Sequence, residues 1–123
     1  MRYETTYDEL LARLPEKVEE IEKSMASEDV EPDEGMHIIF GEAVVPLLIK
    51  WTLANDPCVE KAFLFLEEMA SCDDDRVGEL LEFTILETFV DLDRTMYSEI
   101  KKRMGPQALA CCEAAEEYLP SAN

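Results

Sequence analysis

A chain of 123 residues with 29 Asp and Glu against 11 Lys and Arg has room for one core and carries a formal charge of −18. Such a field repels nucleic-acid backbones and anionic membrane faces, so direct binding of nucleic acid or membrane is not expected, whereas a cationic protein surface is attracted at salt-sensitive rates. With 47% hydrophobic residues, 4 Gly and 6 Pro, the composition still favours a folded domain over disorder.

Met1 to Leu14 interleaves acids with apolar residues and lacks the unbroken apolar stretch of a signal peptide, which places the expected compartment in the cytoplasm. From Thr6 to Ser27, the residues Tyr7, Leu10, Leu11, Leu14, Val18, Ile21 and Met25 return every three or four positions and predict an amphipathic helix. Thr6 with Glu9 three residues on matches a capping box, and Pro15 predicts a kink or a restart. The outer face carries Glu16, Glu19, Glu20 and Glu22. The string SEDVEPDEG from Ser27 to Gly35 reads as an exposed acidic loop.

Met36 to Ala54 is apolar on almost every side, with Ile38, Phe40, Val44, Leu47, Leu48, Trp51 and Leu53, and predicts a central helix bent near Pro46. Gly41, Glu42, Pro46 and Lys50 interrupt it, and it falls short of the roughly 20 apolar residues of a membrane span. Asp56 and Pro57 suit the cap and first position of a third helix running to about Ser71, with Val59, Phe63, Leu66, Met69 and Ala70 on its buried face. The turn CDDD at Cys72 to Asp75 leads into a fourth helix, buried through Val77, Leu80, Leu81, Thr84, Ile85 and Phe89. Its acids sit where a helix N-terminus favours negative charge. Asp91 to Asp93 loosen that helix, Met96, Tyr97, Ile100 and Met104 continue a stripe, Gly105 and Pro106 stop it, and Pro106 opens a last helix ending near Leu119. No strand-type alternation occurs. The expected fold is all-α, a single domain over residues 1–123, an irregular bundle of five or six helices with an αα-hairpin across the CDDD turn. Trp51, Leu48, Phe63, Leu66 and Ile85 should share one core.

Chemistry-bearing constellations are sparse. Cys58, Cys72, Cys111 and Cys112 form neither a CxxC pair nor a metal-type spacing with histidine, so they read as reduced packing thiols. The sole histidine, His37, lies among apolar neighbours and reads as a packed or capping residue; a di-iron carboxylate site would need Glu-x-x-His on two helices. From Asp73, Gly78 falls sixth as in a calcium loop, but Val77 is fifth, where an oxygen ligand is required, and Thr84 is twelfth, where a bidentate Glu is required. Glu42, Glu67, Glu82 and Glu87 flank apolar runs as candidate half-buried carboxylates. No catalytic residue, cofactor or metal site is expected.

The segment MHIIFGEAVVPLLIKWTL followed by FLFLEEMASCDDDRVGELLEFTILETF resembles a loose group of short bacterial helical proteins, the immunity proteins of polymorphic toxin systems. His37 and Gly41, then Phe65, Leu66, Glu67 and Glu68, then Leu86 and Glu87 carry the resemblance over about residues 36–90. It implies a cytoplasmic antidote that covers the active site or substrate groove of a cognate toxin, and an acidic partner suits a basic nuclease cleft. The acids outside the core stripes then become the expected partner surface: Glu28, Asp29, Glu31, Asp33 and Glu34 in the loop, Asp73, Asp74 and Asp75 at the turn, and Glu19 and Glu20 alongside. Two other readings remain open. One is a helical structural or adaptor domain that homodimerises through an apolar stripe while its charge only solubilises it. The other is a carboxylate-metal nucleotide hydrolase using Glu16, Glu19 and Glu20 with Glu113, Glu116 and Glu117.

Overall fold

A computed structural model describes residues 1–118, and among these there are seven helices and no strand. A 3₁₀ turn at Tyr3–Thr5 runs into α1, Thr6–Arg13. That turn carries the helical path one turn further back than the capping-box reading allowed. Thr6 is therefore buried rather than capping, its Oγ1 donating to the carbonyls of Arg2 and Tyr3, while Thr5 Oγ1 donates to Glu9 at 3.0 Å. Pro15 has no N–H to continue the ladder, so α1 stops and the chain restarts through a 3₁₀ turn, Pro15–Lys17, into α2, Val18–Ser27.

The central helix α3, Met36–Leu53, contains a π-helical stretch at Ile39–Val44 just before Pro46. Proline can neither donate to the carbonyl four residues back nor sit against it, and the wider π register accommodates this where a bend was expected. By length and composition alone α3 could cross a membrane, but half of it is buried inside this fold, including Ile39, Phe40, Val44, Leu48 and Trp51.

Asp56 accepts the Cys58 N–H at 2.9 Å and so closes the turn that starts α4, Val59–Ser71, two residues later than Pro57 suggested. Asp74 then caps α5, residues 75–90, by accepting the Arg76 N–H at 3.0 Å. This completes the αα-hairpin. A second π stretch, Leu80–Leu86, lies within α5 and packs against the first, where a Cβ at Gly41 would stand 3.3 Å from the Thr84 methyl. Asp93 caps α6, Arg94–Lys101, through the Met96 N–H, and α7, Pro106–Tyr118, closes the bundle against α4. The acids at 91–93 thus separate two helices where only a loosening was expected. Together with the break at Pro15 this raises the number of helices from the expected five or six to seven.

All five residues assigned to a common core are in it, each at most 4% exposed, joined by Phe40, Phe65 and Phe89. Polar ties link the elements around that core. Glu20 accepts Trp51 Nε1–H at 3.0 Å and Lys50 Nζ at 2.8 Å, fastening α2 to α3. Asp56 takes Lys17 Nζ at 2.6 Å.

The Cys58 backbone N–H, followed by Lys17, holds the Asp56 carboxyl down to about 2. Its folded value lies below the unfolded one, so its contribution to stability is complete above about pH 4 and is lost as pH falls from there through 2. Asp56→Asn should therefore be less stable than wild type above about pH 4 and converge with it below about pH 2. Urea midpoints across that range check this, and a constant gap at every pH would remove Asp56 as the cause.

Candidate interaction surface

The loop between α2 and α3 is the most acidic exposed segment that the chain builds. Val30 anchors it, only 7% exposed, its N–H donating to the Met25 carbonyl at 2.8 Å. Asp29 takes a φ of 56°, and Gly35 a φ of 103° that favours glycine at the exit. Glu34 accepts the Glu31 N–H at 3.0 Å and donates its own N–H to the Glu31 carbonyl. These bonds give the loop a defined path. Glu28, Asp29, Glu31, Asp33 and Glu34 are all exposed on it, and none pairs with a lysine or arginine among the described residues.

The other expected partner residues divide. Asp73 and Asp75 are exposed at the head of α5, as the turn reading requires. Asp74 between them is spent on the fold: it accepts the N–H groups of Arg76 and Tyr3, and these hold its carboxyl below the usual range. Glu20 is likewise committed, to Lys50 and Trp51. Glu19 is exposed and lies 3.5 Å from Lys23, about 13 Å along the helix axis from the start of the loop. Tyr3 connects loop and turn. Its backbone N–H bonds Asp74, and its ring lies 6.2 Å from that of His37, two residues past Gly35. His37 itself is exposed, with Nδ1 against the Thr84 hydroxyl across the π-helical crossing.

Most cations are already engaged internally, Arg13 with Glu68, Lys61 with Glu16, Arg76 with Glu4 and Lys101 with Glu116 among them. Of the six acids proposed for metal chemistry, four are drawn into the same bonds, and Glu113 and Glu117 are exposed. Glu16, Glu19 and Glu20 each face a lysine, and Glu116 accepts both Lys101 Nζ and the Tyr97 hydroxyl. No group of three or more His, Cys, Asp and Glu side chains converges to hold a metal among the described residues. Burial pushes the thiols of Cys58 and Cys112 up to about 12 and about 11, so both stay protonated at neutral pH, as packing residues do. Of the candidate half-buried carboxylates, Glu42 is exposed, and Glu82 and Glu87 are half-buried. Glu67 serves a structural end that its sequence position does not reveal, accepting the N–H groups of Gln107 and Ala108 at 2.9 and 2.8 Å to cap α7.

Over residues 7–120 the sequence matches a family described as Domain of unknown function (DUF7674). The chain belongs to this family. No curated protein and no solved structure matches it. The DUF7674 region takes in nearly the whole described bundle, from the second residue of α1 through α7, and includes the acidic loop, the CDDD turn and both π stretches. The acidic surface is therefore part of the DUF7674 domain itself and not an appendage to it.

Proposed function

We propose that this DUF7674 domain is a cytoplasmic, non-enzymatic binding protein, an antidote of the immunity-protein kind whose acidic surface covers the basic substrate cleft of a cognate toxin such as a nuclease. The observation that carries the reading is the 28–35 loop: five exposed carboxylates without cation partners among the described residues, on a backbone fixed by Val30 and its own turn bonds. Repulsion among such charges costs stability, and a cationic partner relieves it on binding. A loop already in shape also has less ordering entropy to lose. The resemblance over residues 36–90 points to the same class of partner.

Glu28, Glu31 and Asp33 changed together to Lys should slow association with the toxin domain encoded beside the gene by about tenfold or more at low salt, and the difference should shrink at high salt. Asp73→Lys with Asp75→Lys forms a second arm; Asp74 is left intact because it caps α5. Stopped-flow measurements at two ionic strengths read the rates. Wild-type association by both variants, unresponsive to salt, would leave the charge as solvation only. A helical adaptor working through an apolar interface would then replace the antidote.

A further inference from the structure

Among the described residues four large apolar side chains are exposed, Ile38, Leu53, Leu64 and Phe83, and Leu64 is the most exposed of them at 58%. Val59, Phe63, Leu66 and Met69 of α4 turn into the core, which leaves Leu64 on the outer side of the helix. There it lines a groove of about 410 Å³ between α4 and the 103–106 turn, with Val59, Glu60, Phe63, Met104 and Pro106. Both walls are fixed in advance. The Glu67 carboxylate is bound to the N-terminal N–H groups of α7, and Arg103 donates to Asn55 Oδ1 at 2.8 Å.

We propose that this groove receives an apolar side chain from a basic helical segment of the partner. The inference rests on the reading of the protein as a binder of a basic partner and assigns the contact that would hold the complex together. Charges on a rim steer encounter, while residence depends on a desolvated apolar anchor seated in a pocket. The charge at the mouth selects the occupant. Arg103 bonds the neutral amide of Asn55 and keeps its charge, while the neighbouring Lys61 and Glu68 face Glu16 and Arg13. Glu60 is exposed and has no ion-pair partner among the described residues, and with Glu67 it sets two carboxylates against the one guanidinium on the lining, so the groove is net negative. A second copy of the chain would bring another −18 against it, whereas a segment with Lys or Arg flanking an apolar residue meets both groove and rim.

The probe is a synthetic amphipathic helix with Leu on one face and Lys on the other, set against a peptide of equal charge with every Leu changed to Ser. Wild type should bind the Leu peptide about tenfold tighter, the order expected for taking one apolar side chain out of water, with amide shifts centred on Phe63, Leu64, Met104 and Gly105. Leu64→Ser should erase that preference and Phe83→Ser should keep it. Equal binding of the two peptides, or a preference that survives Leu64→Ser, overturns the proposal. So does a dimer of the protein alone, seen in sedimentation and broken by Leu64→Ser, since the occupant would then be a second copy. The peptide measurement uses no toxin, so failure of the antidote reading and failure of the groove are seen separately.

Discussion

Leu66→Ala should lower the free energy of unfolding by about 2 to 5 kcal/mol. Leu66 is 1% exposed and belongs to the core with Trp51, Phe63 and Ile85, so truncation forfeits transfer energy and leaves a cavity that the surrounding helices close only in part. Leu64→Ala, two residues earlier on the same helix, removes the same atoms from a half-solvated site and should change stability by less than about 0.5 kcal/mol. Urea titrations of both variants give the contrast. Equal losses would mean that α4 is rotated from the orientation described here.

Glu67→Ala should cost about 1 to 2 kcal/mol, because two N–H groups at the start of α7 lose the carboxylate that satisfies them. Gly105→Ala should cost a similar amount for a linked reason. A Cβ at Gly105 would lie 2.6 Å from the Glu67 carboxylate carbon and Oε1, and the side chain could yield only by releasing both N–H groups. The glycine is thus required for space, and its backbone lies outside the left-handed region that would itself exclude alanine. The two substitutions should therefore be strongly non-additive, since truncating Glu67 removes the three atoms nearest the added methyl. A double-mutant cycle by thermal or urea unfolding measures this, and simple addition of the two losses would disprove the coupling.

These sites also mark how far the sequence carries. Pro15, Pro57, the CDDD turn and the Gly105–Pro106 pair act on their own backbone, so the helix breaks they impose were legible one residue at a time. The apolar stripes were legible for the same reason, since Leu10, Ile21, Leu66 and Ile85 are placed by periodicity and are all buried. Thr6 was misread because the 3₁₀ turn before it has no strong composition signal, and Asp93 because a capping acid and a helix-loosening acid look alike in one dimension. The exposed carboxylates of the 28–35 loop follow from local polarity. That Glu20 and Asp74 belong to the fold does not, because Trp51 and Tyr3 reach them from 31 and 71 residues away in the chain. The Glu67 cap and the groove beside Leu64 likewise exist only once α4 meets the segment after α6.

The facing π stretches give the chain two places where its length can change while its shape is kept. Each takes up one residue more than an α-helical turn would and still closes the turn, whereas in a regular helix one residue more or less turns everything that follows by about 100°. Deleting one residue within Ile39–Val44 would return the local ladder to the commoner i→i−4 pattern and keep Leu47, Leu48 and Trp51 facing the core, while a deletion just after it, within Val45–Leu53, would swing the residues that follow away. A deletion within Leu80–Leu86 would likewise keep Phe89 buried. Length variation among relatives should therefore collect at the two π stretches and between Ser27 and Gly35, where the acidic loop can grow or shrink without rotating a buried face, and the reach of that loop toward a partner becomes the dimension free to diverge.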